Sequence, residues 1–131
     1  MTSIDRPLSA DVLIFHLNEE RATASDPAIL ARSGRNARTL LKDGALRVTL
    51  IVLAPGGVIR EHHATGPITV HVLEGGLRFT ESGVAHDLAA GDLLSLGAGI
   101  RHDVASDAGA TFLLTIGAPP GSTHKATTAD I

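Results

Sequence analysis

The sequence contains no cysteine, tryptophan or tyrosine, and only three phenylalanines, Phe15, Phe79 and Phe112. Without cysteine there is no disulfide, no thiolate metal ligand and no cysteine nucleophile, a usage that fits a reducing cytoplasm. With so few aromatic rings, stacking on single-stranded nucleic-acid bases is disfavoured. The core must come from Leu, Val, Ile and Ala. Long apolar runs are missing too. The stretch from Val48 to Pro55, broken by Thr49, is far too short to span a bilayer. The first residues carry Asp5 and Arg6 and no signal-peptide core, so a cytoplasmic protein is expected. Basic residues are scattered and the formal net charge is -3, so neither nucleic acid nor an anionic membrane is an expected partner.

What remains is a chain of 131 residues, 44% hydrophobic and 19% charged, which is the size and composition of one globular domain. Asp11–Leu17 reads as a first strand, followed by a polar loop from Asn18. Asp26–Gly34 reads as a short helix, with Asp26 as cap, Pro27 at the first helical position and Gly34 as stop, or else as an irregular loop. From Ala37 onward the period becomes that of strands. Ala37–Lys42 meets the hairpin signal Asp43-Gly44 and returns as Ala45–Leu53. Leu46, Val48, Leu50 and Val52 share one face of that return strand; Arg47, Thr49, Ile51 and Leu53 share the other. The second face turns apolar halfway, as if one end were covered on both sides, for instance by a partner subunit.

Short strands then follow one another. Val58–His63 is followed by a turn at Gly66-Pro67. Ile68–Leu73 is followed by a turn at Glu74-Gly75-Gly76 and Leu77–Thr80. Ser82-Gly83 forms a hairpin into Val84–Leu88. Leu93–Leu96, the segment through His102 and Val104, and Thr111–Ile116 complete the series. The gaps are too short for parallel crossovers, so a sandwich or barrel is expected. The expected organisation is an N-terminal extension over 1–36, a barrel over 37–117 and a flexible C-terminal tail over 118–131.

Two stretches carry the chemistry. Pro55–Gly75 holds Glu61, His62, His63 and His71 between a Gly-rich entry and the exit Val72-Leu73-Glu74-Gly75. Gly91–His102 opens on Gly91-Asp92 and ends on Gly97-Ala98-Gly99-Ile100-Arg101-His102. In their glycine framework and in the second stretch, these segments resemble the two motifs of the cupin superfamily, over roughly residues 45 to 117. The resemblance implies an all-β fold, a cupin-like double-stranded β-helix or jelly-roll barrel with an N-terminal extension. It also implies small-molecule chemistry, often on a metal.

Counted back from Val72–Gly75, the second histidine of the first motif falls on His63. The first falls on Glu61, and the motif glutamate falls on Ile68, which has no ligating atom. The second-motif histidine falls on His102, and Gly97 stands where that motif has proline. Strand alternation points Glu61 and His63 one way and His62 the other. If His102 joins them, Glu61, His63 and His102 form a facial triad for Fe(II), Mn(II) or Ni(II), with Zn(II) also accommodated by such ligands. His62 is the alternate ligand if a bulge reverses the alternation. The plainer alternative makes His63 and His102 hydrogen-bonded pocket residues without metal.

His71 has the opposite parity to Ile68, Val70 and Val72 and faces out of the barrel or into a dimer interface; it is the weakest ligand candidate. His16, His86 and His124 are expected at the surface or an edge, and Glu74 at a turn. Arg60 and Arg101 flank the motifs, where they would meet an anionic substrate or be solvated. No nucleophile elbow, P-loop or dinucleotide fingerprint is present. Two functions are therefore expected: a metal-dependent enzyme of dioxygenase or isomerase type, or a non-catalytic small-ligand-binding or sensor module. A twofold homodimer is the expected assembly.

Overall fold

Strand β4, Ile68–Glu81, is the 14-residue spine of the molecule. A computed structural model describes residues 6–117. The expected tail at 118–131 and the residues before Arg6 lie outside the described residues. Helices α1 (Leu17–Ala24) and α2 (Pro27–Ser33) precede β1 (Arg35–Asp43), β2 (Leu46–Leu53) and β3 (Gly57–His62). After β4 come β5 (Val84–Ala89), β6 (Leu93–Leu96), β7 (His102–Ser106) and β8 (Ala110–Gly117). The strands hydrogen-bond in the order β1-β2-β8-β4-β7-β3, with β5 and β6 also paired to β4. Every pairing between strands is antiparallel.

The expected turn at Glu74-Gly75-Gly76 is instead a bulge in one continuous strand. The register of β4 on β8 slips between Val72 and Glu74. A Cβ on Gly75 would stand 2.2 Å from the Gly109 carbonyl oxygen, and its φ is +75°. Only glycine allows that approach. The bulge bends β4, so that Ile68–Gly75 pairs with β8 while Gly76–Glu81 pairs with β5 and β7. One strand thus serves two sheets, and the sheet curls into a barrel. Ile51, Leu53, Ile59, Ile68, Val70, Val72, Phe79, Val104, Phe112, Leu114 and Ile116 fill its core.

The amino-terminal part departs from expectation. Residues 11–16 form no strand; their neighbourhood is tied to the barrel through the Lys42 N–H donating to the Leu8 carbonyl at 2.8 Å. The expected polar loop from Asn18 is helix α1. Leu17-Asn-Glu-Glu-Arg-Ala-Thr-Ala is rich in helix formers, with Glu19 and Glu20 in the first turn facing the positive end of the dipole. Helix α2 follows the helical alternative. The Asp26 carboxylate accepts from the N–H groups of Ala28 and Ile29, and Gly34 ends the helix at φ 76°.

Strand β2 is covered on both sides, but by this chain itself. Ile51 and Leu53, on the face offered above to a partner subunit, line the barrel. Leu50 and Val52 join Ala24 and Leu40 in a second core against Phe15, Leu17 and Leu30. Arg21 on α1 pairs with Glu74 at the β4 bulge, and Arg38 on β1 pairs with Glu20 on α1.

Candidate functional site

The site forms where β3 ends and β7 begins. In their ladder Ile59 faces Val104, but the next partners are His62 and His102. Three steps on β3 match two on β7, so one residue is extra. Plain alternation from Ile59 would bring Glu61 inward; the bulge brings His62 inward instead. The His62 and His102 ring centroids are 4.4 Å apart at 61°. His102 is 4% exposed and lies nearly parallel to the buried Phe79 ring, with centroids 5.0 Å apart.

The tautomers follow from the backbone. His62 Nδ1 is 2.7 Å from the Arg60 carbonyl oxygen, and His102 Nδ1 is 3.0 Å from the Ile100 carbonyl oxygen. A carbonyl only accepts, so both Nδ1 atoms carry hydrogen. In the neutral ring Nε2 is then an acceptor, and neither Nε2 has a hydrogen-bond partner among the described residues. Burial pushes the His102 pKa below its ordinary value. His62 and His63 push the same way, against the Ile100 carbonyl and Asp103. His102 is therefore neutral at physiological pH.

The other candidates lie elsewhere. Glu61 Oε1 is 3.0 Å from Arg101 Nε, with both side chains more than half exposed. His63 lies just beyond β3 and is exposed. His71, opposite Leu93 and Leu113, stands on the outer face of β4, out of phase with Val70 and Val72. The next inward step after His62 is Ala64, 5% exposed, and Ile68 is 3% exposed.

Two residues that sequence pattern left outside the site share its face. Glu81 is the β4 partner of His102, and His86 on β5 is the partner of Phe79. Glu81 Oε2 and His86 Nε2 are 2.7 Å apart. The hydrogen bond from His86, followed by that from Ser82, holds the Glu81 carboxyl below its ordinary pKa. His86, expected at the surface or an edge, is half-buried at the end of the barrel. The Ser82-Gly83 hairpin was a usable signal: a two-residue loop fixes Glu81 opposite Val84, and hence Phe79 opposite His86.

A metal centre of the usual donor number does not fit these residues. His62 and His102 supply two imidazole nitrogens, Ala64 and Ile68 supply none, and the Glu81 carboxylate is engaged by His86. Among the described residues, no group of three or more His, Asp or Glu side chains is arranged to hold a metal ion. A groove of about 960 Å³ lies outside the barrel between α2 and β3 and meets the pair through His62.

A doubly used spine strand, a curled sheet of antiparallel pairs and an inward histidine on each of two neighbouring strands define a cupin barrel. The family model described as "Cupin domain" matches residues 49–117, and the chain belongs to that family. A conserved protein of unknown function from Streptococcus pyogenes is similar at 26% identity and a TM-score of 0.64, over 69% of this chain and 79% of that one. A sugar phosphate isomerase of the cupin superfamily from Silicibacter pomeroyi is similar at 29% identity and a TM-score of 0.58, over 70% of this chain and 64% of that one. Salicylate 1,2-dioxygenase from Pseudoaminobacter salicylatoxidans shares the fold at 14% identity and a TM-score of 0.71, over 79% of this chain but 32% of that one. No functionally curated protein matches. No helix among the described residues is long and apolar enough to cross a membrane.

Proposed function

We propose that this cupin binds a small polar molecule at the barrel end, with the unpartnered Nε2 atoms of His62 and His102 facing its hydroxyl or amine groups. One observation carries this reading: both Nδ1–H groups are committed to backbone carbonyls, leaving the Nε2 of each of two adjacent rings without a partner among the described residues. The Phe79 ring behind His102 offers an apolar surface to the carbon skeleton of the ligand. Glu81 and His86, hydrogen-bonded across the same face, give the opposite side a proton-holding pair. The site is thus acceptor-rich on one side and donor-capable on the other, an arrangement suited to a hydroxy-carbonyl or amino-alcohol ligand.

The second reading is a metal-dependent enzyme of dioxygenase or isomerase type, with Glu61, His63 and His102 on a divalent ion. The unpartnered Nε2 of His102 and the likeness to a sugar phosphate isomerase favour it. It requires Glu61 to leave Arg101 and turn inward. Metal analysis of protein purified without an affinity tag separates the two. Substoichiometric metal supports the binding reading. A stoichiometric transition metal that disappears in the His63→Ala/His102→Ala double variant overturns it in favour of the enzyme. A twofold homodimer and a cytoplasmic setting complete the proposal.

A further inference from the structure

Arg35 and Arg60 line the groove between α2 and β3, and neither guanidinium has an acidic partner among the described residues. Their condition differs from that of Arg21, Arg38, Arg78 and Arg101, each of which is paired with a carboxylate. The acidic residue on the same wall, Glu61, is neutralised by Arg101. In a chain of net charge -3, this groove is therefore locally positive. Two arginines without acidic partners lining one concavity can offer forked donors suited to a phosphate or a carboxylate.

The groove is held by backbone rather than by mobile side chains. The Ala54 N–H donates to the Gly34 carbonyl at 2.9 Å, joining the end of α2 to the segment before β3. A Cβ on Gly57 would lie 2.5 Å from that same carbonyl oxygen, so glycine is required for the close approach. Arg35 follows Gly34 directly and Arg60 lies on the strand that Gly57 begins, so this contact sets the spacing of the two arginines. The volume, about 960 Å³, is in the range of small-molecule sites. At one end stands His62, whose ring is 4.4 Å from that of His102.

We propose that the groove is an anion-binding subsite: a phosphate or carboxylate group docks on Arg35 and Arg60 and directs the remainder of the same ligand past His62 toward His102. This names the ligand class of the site proposed above, and rests on that reading for its inner end only.

The test is a titration of ¹⁵N-labelled full-length protein with inorganic phosphate, glycerol phosphate and succinate at constant ionic strength, with chloride as control. Saturable shifts are expected at Gly34, Arg35, Gly57, Arg60 and His62, and none with chloride. The Arg35→Gln/Arg60→Gln variant, its fold verified by unchanged dispersion elsewhere, is expected to bind about tenfold more weakly or worse. Tighter binding of glycerol phosphate than of succinate assigns the anion as a phosphate; the reverse order assigns it as a carboxylate. Absence of saturation with all three anions, or equal binding by the variant, overturns the proposal. The His62→Ala/His102→Ala variant separates the two claims. If it still binds inorganic phosphate while the intact pair responds to no hydroxylated compound, the groove stands and the reading of the pair falls.

Discussion

The two halves of β4 face the same barrel and do opposite work. Ile68, Val70 and Val72 meet Ile116, Leu114 and Phe112 across the ladder, all buried hydrocarbon. Beyond the bulge, which shifts the inward parity by one residue, Leu77, Phe79 and Glu81 point inward; Phe79 pairs with Val104 and His86, and Glu81 pairs with His102. The first half holds the barrel closed. The second begins as core and ends on ionisable groups, where the strands run out and the hairpin tip approaches water. The bulge at Gly75 makes this division possible, because it lets one strand serve two sheets.

Substitutions in each half sharpen the contrast. Phe79→Ala should cost about 3–5 kcal/mol of stability in chemical denaturation and also raise the His102 pKa, since it opens the apolar contact that desolvates the ring. Ile68→Ala should cost about 2–5 kcal/mol and leave the His102 titration unchanged, because its ladder partners, Leu96 and Ile116, lie in the other half. If both variants move that titration equally, the halves are not independent.

Acid should act on the second half. Unfolded His102 takes up a proton near its ordinary value of 6.5, whereas the folded ring resists to lower pH. The unfolded state then binds more protons, so stability falls as pH drops below 6.5 and levels off once pH passes below the folded value. His102→Gln should flatten that slope, measured by denaturation between neutral pH and the onset of carboxylate titration. The depressed Glu81 carboxyl gives a separate effect. Its stabilisation is complete above 4.5 and lost as pH falls through its lowered value, so Glu81→Gln should flatten only the more acidic limb.

The smallest effect belongs to the residue that plain alternation favoured. Glu61→Gln removes an exposed ion pair with Arg101 and should change stability by less than about 1 kcal/mol, without shifting the His62 or His102 resonances. A large perturbation of either imidazole would place Glu61 in the site after all.

The barrel was legible in the sequence because strand period, glycine turns and hairpin signals all specify it. Asp43-Gly44 and Ser82-Gly83 sit at the observed reversals. Helix α1 was not legible: its eight residues have little amphipathic pattern, and the apolar stretch just before it read as a strand. The candidate site was half legible. His102 was found from the spacing of its glycines. His62 was found only as an alternate, because alternation fails at a bulge and the bulge between Ile59 and His62 leaves no mark in composition. Glu81 and His86 were missed because their pairing depends on hairpin register rather than on a motif.

The most direct measurement is a long-range ¹H–¹⁵N spectrum of the imidazoles in tag-free protein at neutral pH. Nδ1 of both His62 and His102 is expected to carry hydrogen, the buried His102 ring is expected to be neutral with Nε2 unprotonated, and cross-ring contacts are expected to join the two. A His102 ring that is charged or protonated at Nε2, or a His62 ring with no contact to it, would contradict the central claim.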